Sequence, residues 1–195
     1  MCTHSSYLLP GLQLAVNGAM GFHGVICSAT QLLKTPASSG PPPNNQNQPG
    51  SWSNAVAYLS LHGTADTTIP PAGGPLFGSS TFELHSVAES TRLFAELNGC
   101  ELSPLLWSLD ALIAGGPTTA DVTTYSCDPT TPVAAYMVQG GGHGVAGSIG
   151  GLSIEALALD FVVGVEAAHE SASGSPSPAL YFLPLNYTPP PPPPP

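Results

Sequence analysis

Two polar side chains in this sequence stand at the ends of apolar runs, where chemistry is most easily presented. Asp66 lies in LHGTADTTIP, residues 61–70, where a strand-forming run breaks into a tight polar turn. His143 lies in QGGGHGVAG, residues 139–147, where three glycines follow a second apolar run and let the backbone turn sharply at its rim. A carboxylate that holds an imidazole in one tautomer and stabilises its imidazolium turns that histidine into a proton shuttle for a serine hydroxyl. Taken singly, an Asp in GTADTT is most often a turn former or helix cap, and a loop histidine is most often only that. The two together, each after an apolar run and in the order Asp then His, favour catalysis.

Other chemistries find less support. The glycine run contains no GxxxxGK[ST] and no GxGxxG opening a helix, so it does not read as a phosphate loop. The six histidines form no HExxH or comparable cluster, and neither a metal nor a cofactor is expected. Cys2, Cys27, Cys100 and Cys127 include no CxxC pair, which removes zinc-knuckle and thioredoxin-type readings. Cys100 and Cys127 flank a loop-rich section; a bridge and two buried thiols are both open, and a bridge would imply an oxidising compartment.

The elements that must position Asp66 and His143 alternate in type. AVAYLSLHG (55–63), VAAYMVQ (133–139) and GVICSAT (24–30) read as buried strands. In SVAESTRLFAELNGC, Ser86 and Glu89 make a capping box, Val87, Thr91 and Phe94 share a face with Leu84, and Gly99 ends the helix. SIEALALDFVVG places Ser153 as N-cap, puts Ile154, Leu157, Ala158, Phe161 and Val162 on one stripe, and ends at Gly164. This alternation predicts an α/β fold, a mostly parallel sheet flanked by helices, with Asp66 and His143 at the carboxyl ends of strands, where ligands gather.

One domain is expected over residues 1–170, interrupted by a flexible Pro/Asn/Gln-rich insertion at 34–54 and followed by a disordered polyproline tail at 171–195. Lys34 and Arg92 are the only basic side chains against twelve Asp and Glu, so the chain has no means to neutralise a run of phosphates. Nucleic acid is excluded as a partner, and so is docking on an anionic membrane. No apolar run is long enough to span a bilayer, MCTHSSYLLP carries no basic n-region of a signal peptide, and oligomeric state is left open.

LHGTADTTIPPAGG, SVAESTRLFAELNGC, TTYSC and GGGHGVAG, in this order, resemble the α/β-hydrolase esterases related to polyhydroxybutyrate depolymerases and feruloyl esterases. The resemblance covers residues 59–163. It implies a secreted carboxylic-ester hydrolase acting on a small or polymeric ester, with Asp66 and His143 as triad acid and base and Cys100 pairing with Cys127. The chain departs from the family at Val145 and Pro71, where aromatics are usual, so the acyl and alcohol groups are unassigned. Trp52 and Trp107 lie near candidate loops but suit packing better.

The nucleophile is the weak point of that pattern. No G-x-S-x-G occurs, and matching the helix-then-strand upstream puts the serine at Ser5, in THSSY, with the Ser6 backbone N–H as oxyanion donor. Thr3 and Tyr7 replace the elbow glycines, and Pro10 and Gly11 sit badly in the following helix. Ser148 is too close to His143 in sequence to serve instead. The expectation is therefore a partial α/β-hydrolase, the C-terminal half of a longer enzyme. The alternative is an inactive truncated or pseudoenzyme module with a binding or extracellular-matrix role.

Overall fold

The computed structural model describes residues 24–34, 55–75, 83–145 and 147–172. Three parallel strands form the part of the sheet that matters for the site: β1 (Gly24–Ser28), β3 (Ala57–Gly63) and β8 (Val133–Val138), adjacent in that order. All seven residues of β3 are buried. A strand covered on both faces gains nothing from alternation and reads as a continuous apolar run, which is why β3 and β8 are visible in sequence; β1, at the sheet edge, is half-buried except at Cys27. In register, His62 pairs with Met137 and Gly63 with Val138, so both strands end side by side.

The rest of the sheet is antiparallel. β6 (Glu101–Ile113) and β7 (Gly116–Ser126) form a long antiparallel hairpin, and β7 pairs antiparallel with β8. The short β9 (Ser148–Ile149) and β10 (Leu152–Ser153) complete the seven strands in the order β1-β3-β8-β7-β6-β9-β10. The sheet is mixed, not mostly parallel: two of its ladders are parallel and four antiparallel. The hairpin turn is two residues long, between Ile113 and Gly116, and Ala120, Val122 and Thr124 of β7 point inward with the period of two that a half-covered strand requires.

Two helices lie on opposite faces. α1 (Val87–Leu97) packs Leu93, Phe94 and Ala95 on Cys27, Tyr58 and Val133, with the Phe94 ring stacked 3.9 Å from that of Tyr58. α2 (Ile154–Ala172) packs Leu157, Phe161 and Val165 on Ala57, Leu59, Leu61, Ala134, Tyr136 and Val138, the intervening positions of the same strands. Ser86 caps α1 by accepting from the Glu89 N–H at 3.0 Å, and Ser153 caps α2 through Ala156 N–H at 3.2 Å.

α2 differs from expectation at its far end. It runs through Gly164 to Ala172, two residues past the boundary placed at 170, because Val165 and Ala168 continue its buried stripe. That burial outweighs the roughly 1 kcal/mol a helical glycine costs. Val162, expected on the stripe, is exposed.

The NGC at the end of α1 is a joint. Asn98 Oδ1 accepts from Val56 N–H at 3.0 Å while its Nδ2 donates to Val56 C=O and Thr131 C=O at 2.9 and 2.8 Å, tying the helix end to the chain entering β3 and β8. Gly99 follows with φ of 67°, a left-handed conformation that glycine adopts without steric cost. Cys100 then forms a disulfide with Cys127 across the base of the hairpin.

A second, three-stranded sheet braces the segment after Asp66. It joins β2 (Leu33–Lys34), β5 (Glu83–Leu84) and β4 (Gly74–Pro75), all antiparallel. Lys34, expected at the start of a flexible insertion, is thus the end of a strand, while residues 35–54 lie outside the described residues. Residues 1–23 and 173–195 lie outside them too. No helix among the described residues is long and apolar enough to cross a membrane.

Candidate active site

The acid and base segments leave adjacent parallel strands and are stitched together before either functional side chain is reached. Thr64 N–H donates to Val138 C=O and Ala65 N–H to Gly141 C=O, both at 2.9 Å. Gly140 N–H donates to the Thr64 hydroxyl oxygen at 2.9 Å. The two backbones touch: a Cβ on Gly63 would lie 2.1 Å from the Gly141 carbonyl oxygen. Glycine at 63 is therefore a requirement of close approach. The start of the base segment is held from the other side, where Thr118 Oγ1 donates to Gln139 C=O and Gln139 N–H donates to Thr119 C=O, each at 2.9 Å.

The stitched segments bring Asp66 and His143 into contact. His143 Nδ1 lies 2.9 Å from Asp66 Oδ2. The other carboxylate oxygen, Oδ1, accepts from Thr68 N–H at 2.8 Å and Ile69 N–H at 2.9 Å, an Asx-type turn that sets the carboxylate plane. One carboxylate oxygen of Asp66 forms the turn while the other meets the His143 ring. The Asp66 side chain is fully buried, whereas 27% of the His143 side chain reaches solvent. The carboxylate is inside and the imidazole reaches solvent, an arrangement that a proton shuttle would require.

Electrostatics keep the acid ionised. Burial pushes the Asp66 carboxyl up, but hydrogen bonds from Ile69 N–H, His143 and Thr68 N–H outweigh it and hold the group below its ordinary value. With Nδ1–H of His143 given to this carboxylate, the basic nitrogen of the neutral ring is Nε2. Such a ring can take a proton at Nε2 while the buried charge steadies the imidazolium, which is the work of a general base.

Sequence reasoning missed His62. Its ring is fully buried on the α1 side of β3, with Nε2 2.8 Å from Ile69 C=O and 3.5 Å from Asp66 Oδ2. Burial lowers its pKa, against the raising pull of the Ile69 carbonyl and Asp66. The signal was present in the LHGTAD string, but the partner is a backbone carbonyl seven residues on, which no side-chain pattern marks. Gln139 was missed as well; its Nε2 donates to Asp121 Oδ2 at 2.6 Å.

Of the remaining expected residues, Cys100 and Cys127 are bonded to each other. Ser5 and Ser6 lie outside the described residues, as does Trp52. Trp107 packs, half buried, against the α2-side core. Val145, standing where an aromatic was expected, is itself buried in that core, and Pro71 accepts from Val87 N–H at 2.9 Å where the acid segment joins α1. Among the described residues no group of three or more His, Cys, Asp or Glu is arranged to hold a metal ion.

No protein-family model matches the chain, and no curated protein matches it.

Proposed function

We propose that this chain carries the acid and base of a serine carboxylic-ester hydrolase, and that Ser5 is its nucleophile. The observation that supports the reading is the buried, doubly capped Asp66 carboxylate 2.9 Å from Nδ1 of a solvent-reaching His143. In this mechanism the serine oxygen bonds to the ester carbonyl carbon as His143 Nε2 takes its proton. The same nitrogen protonates the departing alcohol, and water repeats the sequence on the acyl-enzyme. The Ser6 N–H is assigned the developing oxyanion. The substrate is a small or polymeric ester. The Cys100–Cys127 disulfide favours an oxidising, extracellular setting for it.

The test is to treat the full chain with a fluorophosphonate probe and locate any adduct by mass spectrometry, with His143→Ala alongside. An adduct on Ser5 that disappears with His143 is the expected result. A folded chain that gains none, and does not cleave p-nitrophenyl esters, is an inert descendant of such an enzyme.

A further inference from the structure

Asp66 is held by more than its own turn. Ile69 is gripped from two directions, its N–H by Asp66 Oδ1 at 2.9 Å and its C=O by His62 Nε2 at 2.8 Å. His62 belongs to a central strand, paired with Met137 of β8, so its ring is fixed by the same ladder that carries the base segment. The same Nε2 stands 3.5 Å from Asp66 Oδ2, the oxygen that faces His143. Because Ile69 C=O only accepts, Nε2 must carry the hydrogen.

We infer that His62 is a positioning residue for the acid: its Nε2–H anchors the Ile69 carbonyl and, through the Asp66–Ile69 turn, fixes the carboxylate oxygen that His143 uses. A space-filling side chain at 62 preserves the packing but frees the Ile69 carbonyl, and the turn then loses its side-chain tie to β3 and is left with the 3.3 Å bond from Asp66 N–H to Gly63 C=O. The carboxylate plane is no longer set with respect to the base. His62 is fully buried, so it touches no substrate and acts only through Asp66. As a neutral donor it also avoids competing with the imidazolium of His143 for the same oxygen, and burial, which lowers its pKa, keeps it neutral.

This inference rests on the esterase reading for its kinetic consequence but not for its structural one, and the experiment separates them. His62→Leu removes the donor, and His62→Gln keeps an N–H at similar reach. In the proton NMR spectrum of the full chain, a low-field Nδ1–H resonance that vanishes in His143→Ala reports the Asp66–His143 hydrogen bond whether or not an ester is cleaved. It should persist in His62→Gln and be lost in His62→Leu. With p-nitrophenyl acetate, kcat of His62→Leu should fall about 100-fold with KM unchanged, the scale expected when a reacting group is displaced by about 1 Å. His62→Gln should recover most of that loss.

Should the leucine chain fail to fold, His62→Asn, one methylene too short to reach Ile69, takes its place. A folded His62→Leu or His62→Asn chain that keeps the resonance overturns the inference, as does a His62→Gln chain that loses it. Absence of turnover in the wild-type chain, with the resonance responding as stated, would overturn the esterase reading alone.

Discussion

Replacing Gly63 by alanine sets a methyl group where the two halves of the site meet. The added Cβ would stand 2.1 Å from the Gly141 carbonyl oxygen and 2.7 Å from that of Gly142, both backbone atoms with no rotamer to yield. An ordinary carbon–oxygen contact is about 3.3 Å, so β3 and the base segment must part by roughly 1.2 Å. That stretches the 2.9 Å bond from Ala65 N–H to Gly141 C=O past its useful range. Overpacking of this kind costs ~1–3 kcal/mol and the lost hydrogen bond about 1 more, which together lower Tm by roughly 5–15 °C in a domain of this size. Gly142→Ala is the matched control: nothing lies within 4 Å of its Cβ, and the change should stay within about 0.5 kcal/mol of wild type. Circular dichroism melts of the two variants decide the matter. A Gly63→Ala chain that melts with Gly142→Ala would refute the close approach of the two segments.

Asp66→Asn turns an amide NH2 toward His143 and forces the ring into the tautomer with hydrogen on Nε2; ester hydrolysis should fall about 10⁴-fold, read as kcat, with the fold intact by circular dichroism. Asn98→Ala strands the N–H and C=O of the buried Val56 as well as Thr131 C=O. It should cost about 3 kcal/mol or more in urea unfolding. Removing the disulfide by Cys100→Ser with Cys127→Ser releases a constraint spanning 27 positions, worth about 3.5 kcal/mol by loop closure, and should lower the urea midpoint accordingly. In acid, the folded carboxyl of Asp66 titrates below its ordinary 3.8, so the unfolded chain takes up the proton first and stability is lost as pH falls from 3.8 through the lower folded value. His62, lowered from 6.5, acts with the same sign in a higher window, stability falling as pH drops below 6.5. Urea midpoints against pH should show the lower limb flattened in Asp66→Asn and the upper one in His62→Gln.

What the sequence discloses of this fold follows from which interactions are local. The buried runs of β3 and β8, the strand β1, the Ser86 and Ser153 caps, and the succession of Asp66 and His143 are all legible within short windows, and all appear in the structure; β1, expected to be buried, is an edge strand with only Cys27 buried. The direction of the sheet is not. β6 reads ELSPLLWSLDALI, where Pro104 and paired leucines break any alternation, and Leu105 and Leu106 are both exposed. TTADVTTY and the Gly115-Gly116 pair carry a hairpin signal that the loop-rich reading of this section did not use. Gly164 looked like a helix end because the contacts that carry α2 past it are tertiary. His62 went unseen because its partner is a carbonyl brought near by the turn itself.

The disulfide has a consequence for the order in which the molecule assembles. β6, β7 and β8 are joined by a two-residue turn and a six-residue link, 127–132, so they pair at small loop-closure cost. β3 must find β8 across 69 residues, 64–132, and only that parallel pairing brings Asp66 to His143. Once Cys100 and Cys127 are joined, residues 101–126 are bypassed and the path shortens to 43 residues, 64–100 plus 127–132. The entropy of closing the shorter loop is smaller by about 0.4 kcal/mol, roughly a twofold gain in refolding rate for the oxidised chain over the reduced one. The contact between Asp66 and His143 is thus expected to form late in folding, and oxidation of a bond at the base of the hairpin should speed its arrival.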